Sequence, residues 1–336
     1  MTQLRRDPIR GHWTIIAPGR NRRPDEYDVK MVEPSQEGPC PFCPGNEGDT
    51  PAEIDSVRPT PSAPDEPGWV VRLIPNQYPA LSLEDDGMPV QAVSELHRTL
   101  PGIGVQEIVV ATPDHGRRAA NFSIDHWDAV LAASQYRMER LARDRRIKHV
   151  LLFQNHGAQG GASRSHAHFQ IMGLPMTPSA VSHKLISSRN YFERNERCLF
   201  CDVLSRELQE GDRIVIEDEA FVAFAPWASR LAFELCVVPR PHHASFLKIP
   251  PTQRRRLASH MRDVLRRLEK IFGDFPYNWI LHTAPIHDAD PRIFHWHVEI
   301  LPRLGRLGGY EWGTGSFVNT TSPEAAAEDL RSAAGD

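Results

Sequence analysis

One series of landmarks occurs twice, in the same order, along this chain of 336 residues. Each series opens with a Cys-x-x-Cys pair, continues with an apolar run that ends at a proline and a histidine, and closes with a His-x-His segment. The landmarks of the first series are Cys40, Cys43, His115, His166 and His168, and those of the second are Cys198, Cys201, His242, His295 and His297. The repeat indicates a tandem duplication near residue 180. We therefore expect two similar halves, residues 1–180 and residues 181–336.

The composition excludes several classes of protein. Hydrophobic residues make up 40% of the chain and charged residues 24%, as in ordinary globular proteins. A net charge of -4 leaves no broad basic surface for nucleic acid. No apolar run approaches the ~20 residues that span a bilayer, and the first residues lack the apolar stretch of a secretion signal. We expect a cytoplasmic protein that binds neither nucleic acid nor membrane.

The secondary structure predicted between the landmarks also repeats. Apolar residues at helical spacing predict one amphipathic helix within residues 123–143 and another within residues 257–271. Each helix precedes an apolar strand, and each His-x-His segment is predicted to be a strand with both histidines on one face. Strands that follow one another through loops, with helices between them, predict an α+β fold with an antiparallel sheet. A last helix should start after Ser322 as its N-cap.

The two Cys-x-x-Cys pairs are interpreted as halves of metal sites. A disulfide framework would need more cysteines in a smaller chain, and a thioredoxin-like redox pair should open a helix, whereas Cys40 and Cys43 run into a loop rich in proline and glycine. A tetrahedral zinc site takes two further ligands, most often histidines. We predict two structural Zn²⁺ sites, one of Cys40, Cys43, His115 and His166 and one of Cys198, Cys201, His242 and His295. His243 is an alternative to His242, but Glu234 precedes His242 by the same eight residues that separate Glu107 from His115.

Only the first His-x-His segment has the surroundings of a phosphate site. A loop that contains Gly160 and Gly161 precedes it and would let backbone amides approach an anion. A neutral imidazole is a good nucleophile toward phosphorus, so His168 is predicted to attack an α-phosphorus, and Gln170 on the same strand face to donate to a non-bridging oxygen. His297 is followed by Glu299 instead and lacks the glycine-rich loop. We interpret the second half as a catalytically silent copy.

At these motifs the sequence resembles the galactose-1-phosphate uridylyltransferase family of the histidine triad superfamily. The resemblance covers most of the chain and rests on the segments RRDPIRGHWTIIAPGRNRRP, CPFCPGNE, IPNQYPAL, NHGAQGGASRSHAHFQ and GGYEWGTGSFVNTTSPEAAAEDLR. It implies two histidine-triad-like halves and a homodimer. It also implies a set of substrate-binding residues: Arg20, Arg23, Asn76, Asn155, Gly160, Gly161, Ser163, and, in the neighbouring subunit, Tyr310 and Glu311.

The resemblance further implies ping-pong transfer of a nucleotidyl group through a covalent nucleotidyl-histidine. We expect UDP-glucose:galactose-1-phosphate uridylyl transfer, an activity of galactose metabolism. Two features depart from that pattern: Phe169 stands where the family has glycine, and the second Cys-x-x-Cys pair resembles the branch that includes plant ADP-glucose phosphorylase. Adenylyl transfer from ADP-glucose to phosphate is therefore the alternative. A histidine triad hydrolase, or a zinc-stabilised protein that binds nucleotide sugars without turnover, are further alternatives.

Overall fold

Thirteen strands are defined in the part of the chain that the structure describes. That part, in a computed structural model, comprises residues 1–20, 27, 31–34, 38–84, 96–97, 99–287 and 289–334. The strands are β1 (Gln3–Arg6), β2 (Trp13–Ile16), β3 (Asp55–Val57), β4 (Val71–Pro75), β5 (Val105–Val110), β6 (His149–His156), β7 (His168–Leu174), β8 (Ile214–Glu217), β9 (Phe221–Phe224), β10 (Leu235–Pro239), β11 (Tyr277–His282), β12 (His297–Pro302) and β13 (Phe317–Asn319).

Ten of these strands form one antiparallel sheet that runs through both halves. Its order is β3-β4-β5-β7-β6-β11-β12-β10-β9-β8, so each half contributes five strands and the second half repeats the order of the first in reverse. The halves meet where β6 pairs with β11, with Leu152 opposite Leu281. The remaining three strands form a small sheet in which β13 lies parallel to β2. The α+β fold with an antiparallel sheet is confirmed.

Six α-helices are defined in the described residues. They are α1 (Ile124–Leu141), α2 (Ser179–Asn195), α3 (Leu199–Glu210), α4 (Pro251–Phe272), α5 (Gly309–Thr314) and α6 (Pro323–Ser332). Helices α1, α4 and α6 were predicted, and the Ser322 side chain caps α6 by accepting from the amide of Ala325 at 3.2 Å. Helices α2 and α3 were not. Within the described ranges, none of these helices combines the length and apolar character that a bilayer span needs.

Helices α1 and α4 pack against each other and bury one face of the sheet. Phe169 of β7 points to this side, where its ring lies 5.7 Å from that of Trp127 and 5.4 Å from that of Trp279. Because side chains alternate along a strand, Phe169 faces the core while His168 and Gln170 face the other side. A bulky residue between the two therefore leaves their side of the sheet open.

The His-x-His strands start one histidine later than predicted. Strands β7 and β12 begin at His168 and His297, so His166 and His295 precede them. In each half, the carbonyl of the first histidine accepts a hydrogen bond from the ring of the second. Both histidines of the first pair nevertheless lie on one side, since the ring of Phe42 is 6.1 Å from that of His166 and 5.4 Å from that of His168.

Candidate active site and metal centres

A cleft of about 520 Å³ lies against β7 and β5 on the face opposite the helices. That size suits a ligand of several rings and phosphates. Four of the predicted site residues line it together: Asn76, Ser163, His168 and Gln170. The other lining residues are Pro41, Phe42, Thr50, Pro51, Ile74, Pro75, Gln77, Tyr78, Ile108 and Arg164.

The His168 ring is held in one tautomer. Its Nδ1 lies 2.8 Å from the carbonyl oxygen of His166, and a carbonyl can only accept, so Nδ1 carries the proton and Nε2 keeps its lone pair. Within the described part of the chain, no protein group is hydrogen-bonded to this Nε2. Burial, together with the positive charge of Arg164, lowers the pKa of His168 below 6.5, although the bond to His166 opposes this shift. The imidazole is therefore neutral near pH 7.

Arg164 is a lining residue that the motif analysis missed. Its guanidinium lies 5.6 Å from the centre of the Phe42 ring, and that ring contacts His168 edge-on. Among the described residues, it is the one cation that lines the cleft. Its signal was present in the sequence, since Arg164 follows the glycine-rich loop and precedes the first histidine by two residues.

The predicted loop residues Asn155, Gly160 and Gly161 anchor the loop and do not line the cleft. The Asn278 amide of β11 donates to the carbonyl of Gly160 at 2.6 Å and to Oδ1 of Asn155 at 2.8 Å. A Cβ on Gly160 would lie 2.8 Å from the carbonyl oxygen of Tyr277, so only glycine fits there. The structure thus gives Gly160 a packing role, and a contact with ligand stays a prediction.

Three further predicted residues lie outside the cleft. Arg20 is exposed at the end of the turn Pro18–Arg20, and Tyr310 and Glu311 belong to α5. The Glu311 carboxylate accepts from the amide of Gly308 at 2.8 Å. Arg23 falls outside the described residues. Contact between these residues and the substrate of His168 stays a prediction.

The first Cys-x-x-Cys pair lies against the histidines predicted for it. The ligand atoms of Cys40, Cys43, His115 and His166 all lie within 4.8 Å of one another. Cys43 Sγ is 3.4 Å from Nδ1 of His115 and 3.7 Å from Nδ1 of His166. A tetrahedral zinc with bonds of about 2.3 Å to sulfur and about 2.0 Å to nitrogen places these atoms about 3.5 Å apart. His166 Nε2 bonds the carbonyl of Thr112 at 2.7 Å, which leaves Nδ1 free for a metal.

The second half contains the matching group. The ligand atoms of Cys198, Cys201, His242 and His295 lie within 4.8 Å of one another. Cys201 Sγ is 3.2 Å from Nδ1 of His242 and 3.6 Å from Nδ1 of His295, and Nε2 of His242 bonds the carbonyl of Pro291. His242, rather than His243, thus lies beside the cysteines. This pair does open a helix, because α3 begins at Leu199, but the two histidines beside it fit a metal site.

A third cluster of ligand atoms is already filled by a cation. His282, His297 and Glu299 bring their ligand atoms within 4.8 Å of one another. The Lys184 ammonium lies 2.9 Å from Nε2 of His297 and 2.6 Å from Oε1 of Glu299. Because a metal ion and this ammonium would compete for the same space, the cluster does not fit a metal while Lys184 is in place.

Comparison with known proteins places this geometry in a family. The models of the N-terminal and C-terminal domains of galactose-1-phosphate uridyl transferase match residues 1–178 and 184–306. An ADP-glucose phosphorylase of Arabidopsis thaliana is 32% identical, with 98% of this chain and 92% of that protein covered. The chain belongs to the galactose-1-phosphate uridylyltransferase family. It is a nucleotidyltransferase, and both the resemblance and its plant branch are confirmed.

Two further relatives frame the question of substrate. A galactose-1-phosphate uridylyltransferase of Thermotoga maritima is 29% identical, and 98% of both chains is covered. The crystal structure of an ADP-glucose phosphorylase from Arabidopsis thaliana with bound ADP-glucose matches with a TM-score of 0.83, at 30% identity and with 98% of both chains covered. Family membership thus fixes the class of reaction and leaves the nucleotide open.

Proposed function

We propose that this protein transfers a nucleotidyl group from a nucleoside diphosphate sugar to a phosphate acceptor through a covalent intermediate on His168. The observation that carries the proposal is the bond from Nδ1 of His168 to the carbonyl of His166 at 2.8 Å. It presents the Nε2 lone pair in a cleft that Arg164 and Gln170 also line. A neutral, fixed imidazole beside a cation and an amide donor is suited to attack at phosphorus.

The first half-reaction exchanges one bond at phosphorus for another. Nε2 of His168 attacks the α-phosphorus, the N–P bond forms, and the bond to the oxygen that bridges to the β-phosphorus breaks. The electron pair of that bond leaves with the sugar 1-phosphate. The proton on Nδ1 stays in its hydrogen bond to His166, which delocalises the positive charge that the ring gains.

In the second half-reaction an oxygen of the acceptor phosphate attacks the same phosphorus and the N–P bond breaks. His168 thereby regains its lone pair. Throughout both steps Arg164 offsets the negative charge of the phosphates, and the Gln170 amide donates to a non-bridging oxygen. Gln170 suits this role because an amide does not compete as an acid.

We propose ADP-glucose as the donor and inorganic phosphate as the acceptor, which would give ADP and glucose 1-phosphate. The identity to the Arabidopsis thaliana phosphorylase and the second group of two cysteines and two histidines support this choice over uridylyl transfer, which the sequence alone favoured. Uridylyl transfer between UDP-glucose and galactose 1-phosphate is the second candidate. The match along 98% of the Thermotoga maritima uridylyltransferase supports it.

Zinc is proposed for both groups of two cysteines and two histidines, because their sulfur–nitrogen separations fit a tetrahedral ion. When bound, the ion contributes structure: in the first half it would tie the loop of Cys40 and Cys43 to His166, whose carbonyl orients His168. A homodimer is proposed as well: Arg20 and Arg23 would complete the site from the same chain, and Tyr310 and Glu311 from the neighbouring subunit.

A substrate panel tests the proposal. The enzyme is incubated with ADP-glucose and phosphate, and separately with UDP-glucose and galactose 1-phosphate, and kcat/KM is compared. We expect the first pair to be favoured by at least about tenfold, and a preference for the second pair would replace the donor while keeping the chemistry. Donors labelled in the α-phosphate test the intermediate: an acid-labile, base-stable label on the protein is expected. Release of free nucleoside monophosphate without an acceptor would instead indicate a hydrolase.

A further inference from the structure

Gln106 of β5 lies beside Gln170 and has no part in the mechanism above. Its Nε2 donates to Oε1 of Gln170 at 3.0 Å, and its own Oε1 accepts from the backbone amide of Ala80 at 3.0 Å. Gln106 and Gln170 are both half-buried, and they lie on the cleft side of neighbouring strands.

These two contacts fix the orientation of both side-chain amides. A backbone N–H can only donate, so the side chain of Gln106 must turn its oxygen toward Ala80 and its NH₂ group toward Gln170. Gln170 must then turn its oxygen toward Gln106. As a result, the NH₂ group of Gln170 is the end that faces the cleft. Without this pairing, an amide can rotate and present its oxygen, which would repel the oxygens of a phosphate.

We propose that Gln106 is a positioning residue that sets the donor face of Gln170 toward the transferred phosphoryl group. The inference rests on the proposed function, since it assigns Gln106 a role through Gln170 in the transfer to His168. The chain of donors runs from the amide of Ala80 through Gln106 and Gln170 to a non-bridging phosphate oxygen. Each group in this chain donates toward the phosphate, because the backbone amide of Ala80 at its start can only donate.

The backbone of Gln106 anchors the neighbouring loop, so the role of its side chain can be tested apart from loop anchoring. Its backbone carbonyl accepts from the amide of Asn76 at 3.0 Å, so the loop that carries Asn76 and Ala80 is tied to β5 without the side chain. In Gln106→Glu, one carboxylate oxygen can still accept from Ala80, which preserves the side-chain anchor. The other oxygen cannot donate, so Gln170 is expected to turn its NH₂ group to Glu at position 106 and its oxygen to the cleft.

The test measures the single-turnover rate of nucleotidyl-enzyme formation with ADP-glucose and with UDP-glucose. Gln106→Glu is expected to slow this step about tenfold to a hundredfold. The donor concentration that gives half of the maximal single-turnover rate should change by less than about threefold. Gln106→Met, which removes both contacts, serves as a second variant if the first does not fold. Gln135→Met is the matched control: Gln135 is buried far along α1 and donates to the carbonyls of Phe246, Leu247 and Ile249. It should lower the melting temperature and leave the rate unchanged.

The same substitution in a Gln170→Ala background decides whether Gln106 acts through Gln170. We expect Gln106→Glu to slow the step by less than about threefold there, because no amide remains to be turned. An equal slowing in both backgrounds would overturn the inference, since the added charge would then act directly. No slowing in either background would overturn it as well. If Gln170→Ala itself reacts at the normal rate, the proposed role of Gln170 fails, and that result is distinct from a failure of Gln106 alone.

Discussion

His168 and His297 occupy equivalent places in the two halves and make the same hydrogen bond. In each, Nδ1 bonds the carbonyl of the histidine two residues earlier, at 2.8 Å and 2.9 Å. The difference lies at Nε2. In the first half it is presented in a polar cleft, whereas in the second it meets the ammonium of Lys184 at 2.9 Å. The fold thus sets the same tautomer twice, and the two copies differ in the group that lies opposite Nε2.

The residues beside His168 and His297 also differ: they are neutral in the first half and charged in the second. Gln106 and Gln170 form a neutral pair in the first half. By strand register their counterparts are Glu234 and Glu299, which Arg230 bridges at 2.8 Å and 2.7 Å. Arg10 also contacts Glu299, at 2.7 Å. Two buried carboxylates held by cations form a closed network, which offers no amide donor at the place where the first half would present one to a phosphate.

The comparison predicts its largest effect at the two histidines. His168→Asn should reduce turnover on the order of ten-thousandfold, because the nucleophile is lost, and should retain both metals. His297→Asn should leave kcat within about threefold and lower the melting temperature, since it breaks contacts of a buried network. Steady-state kinetics and thermal unfolding check both. Near-normal turnover of His168→Asn would contradict the account.

Gln170→Glu gives the first half the residue of the second. A carboxylate removes the NH₂ donor and repels the phosphate, so kcat/KM should fall by about a hundredfold to a thousandfold. Gln154→Glu, at a buried glutamine that accepts from the Tyr277 hydroxyl, controls for a new charge in the neighbouring strand. Gln154→Glu should lower the melting temperature, and it should change kcat/KM less than Gln170→Glu does. Equal effects of the two substitutions on kcat/KM would mean that the identity of residue 170 does not distinguish the halves.

The buried His149 of β6 makes the stability of the protein depend on pH. Burial, followed by the charge of Lys184, lowers its pKa to about 4 from an ordinary value of 6.5. Because the unfolded chain binds the proton more readily, this contribution to stability is complete above pH 6.5 and is lost as the pH falls toward 4. The free energy of unfolding, measured in urea, should fall between pH 7 and pH 4.5 in the parent. In His149→Leu this fall should be smaller by about 2 to 3 kcal/mol. The exposed His183→Leu should keep the parental dependence, and the same slope in all three proteins would exclude His149 as its source.

The two proposed zinc sites should differ in their effect on turnover. His166→Asn and His295→Asn should each lose one equivalent of metal, measured by elemental analysis, and both should lower the melting temperature. Only His166→Asn should slow turnover, by about tenfold, because loss of the ion would release the backbone at residue 166, whose carbonyl orients His168. If His295→Asn slows turnover as much, the second site supports the chemistry as well and the halves are less distinct than proposed.

The α+β fold, and the way two cysteines and two histidines come together in each half, could be predicted from sequence because both depend on local spacing. Contacts between neighbouring strands were harder to predict from the sequence. Equal intervals paired Glu107 with Glu234, yet Glu107 bonds Arg137 of α1 on the helix side, and the counterpart of Glu234 is Gln106. An offset of one residue moves a side chain to the other face of a strand, and spacing alone does not reveal it. Gln106 and Lys184 were missed for this reason, since register and the placement of α2 bring them to their partners.

Mapping the nucleotidyl adduct tests the difference between the halves most directly. The enzyme is mixed with ADP-glucose, and separately with UDP-glucose, without an acceptor, quenched in base and digested, and the peptides are sequenced by mass spectrometry. One adduct is expected, on His168, and none on His297, and subsequent addition of phosphate or galactose 1-phosphate should remove it. An adduct on His297, or steady turnover through an enzyme that never carries one, would contradict the account.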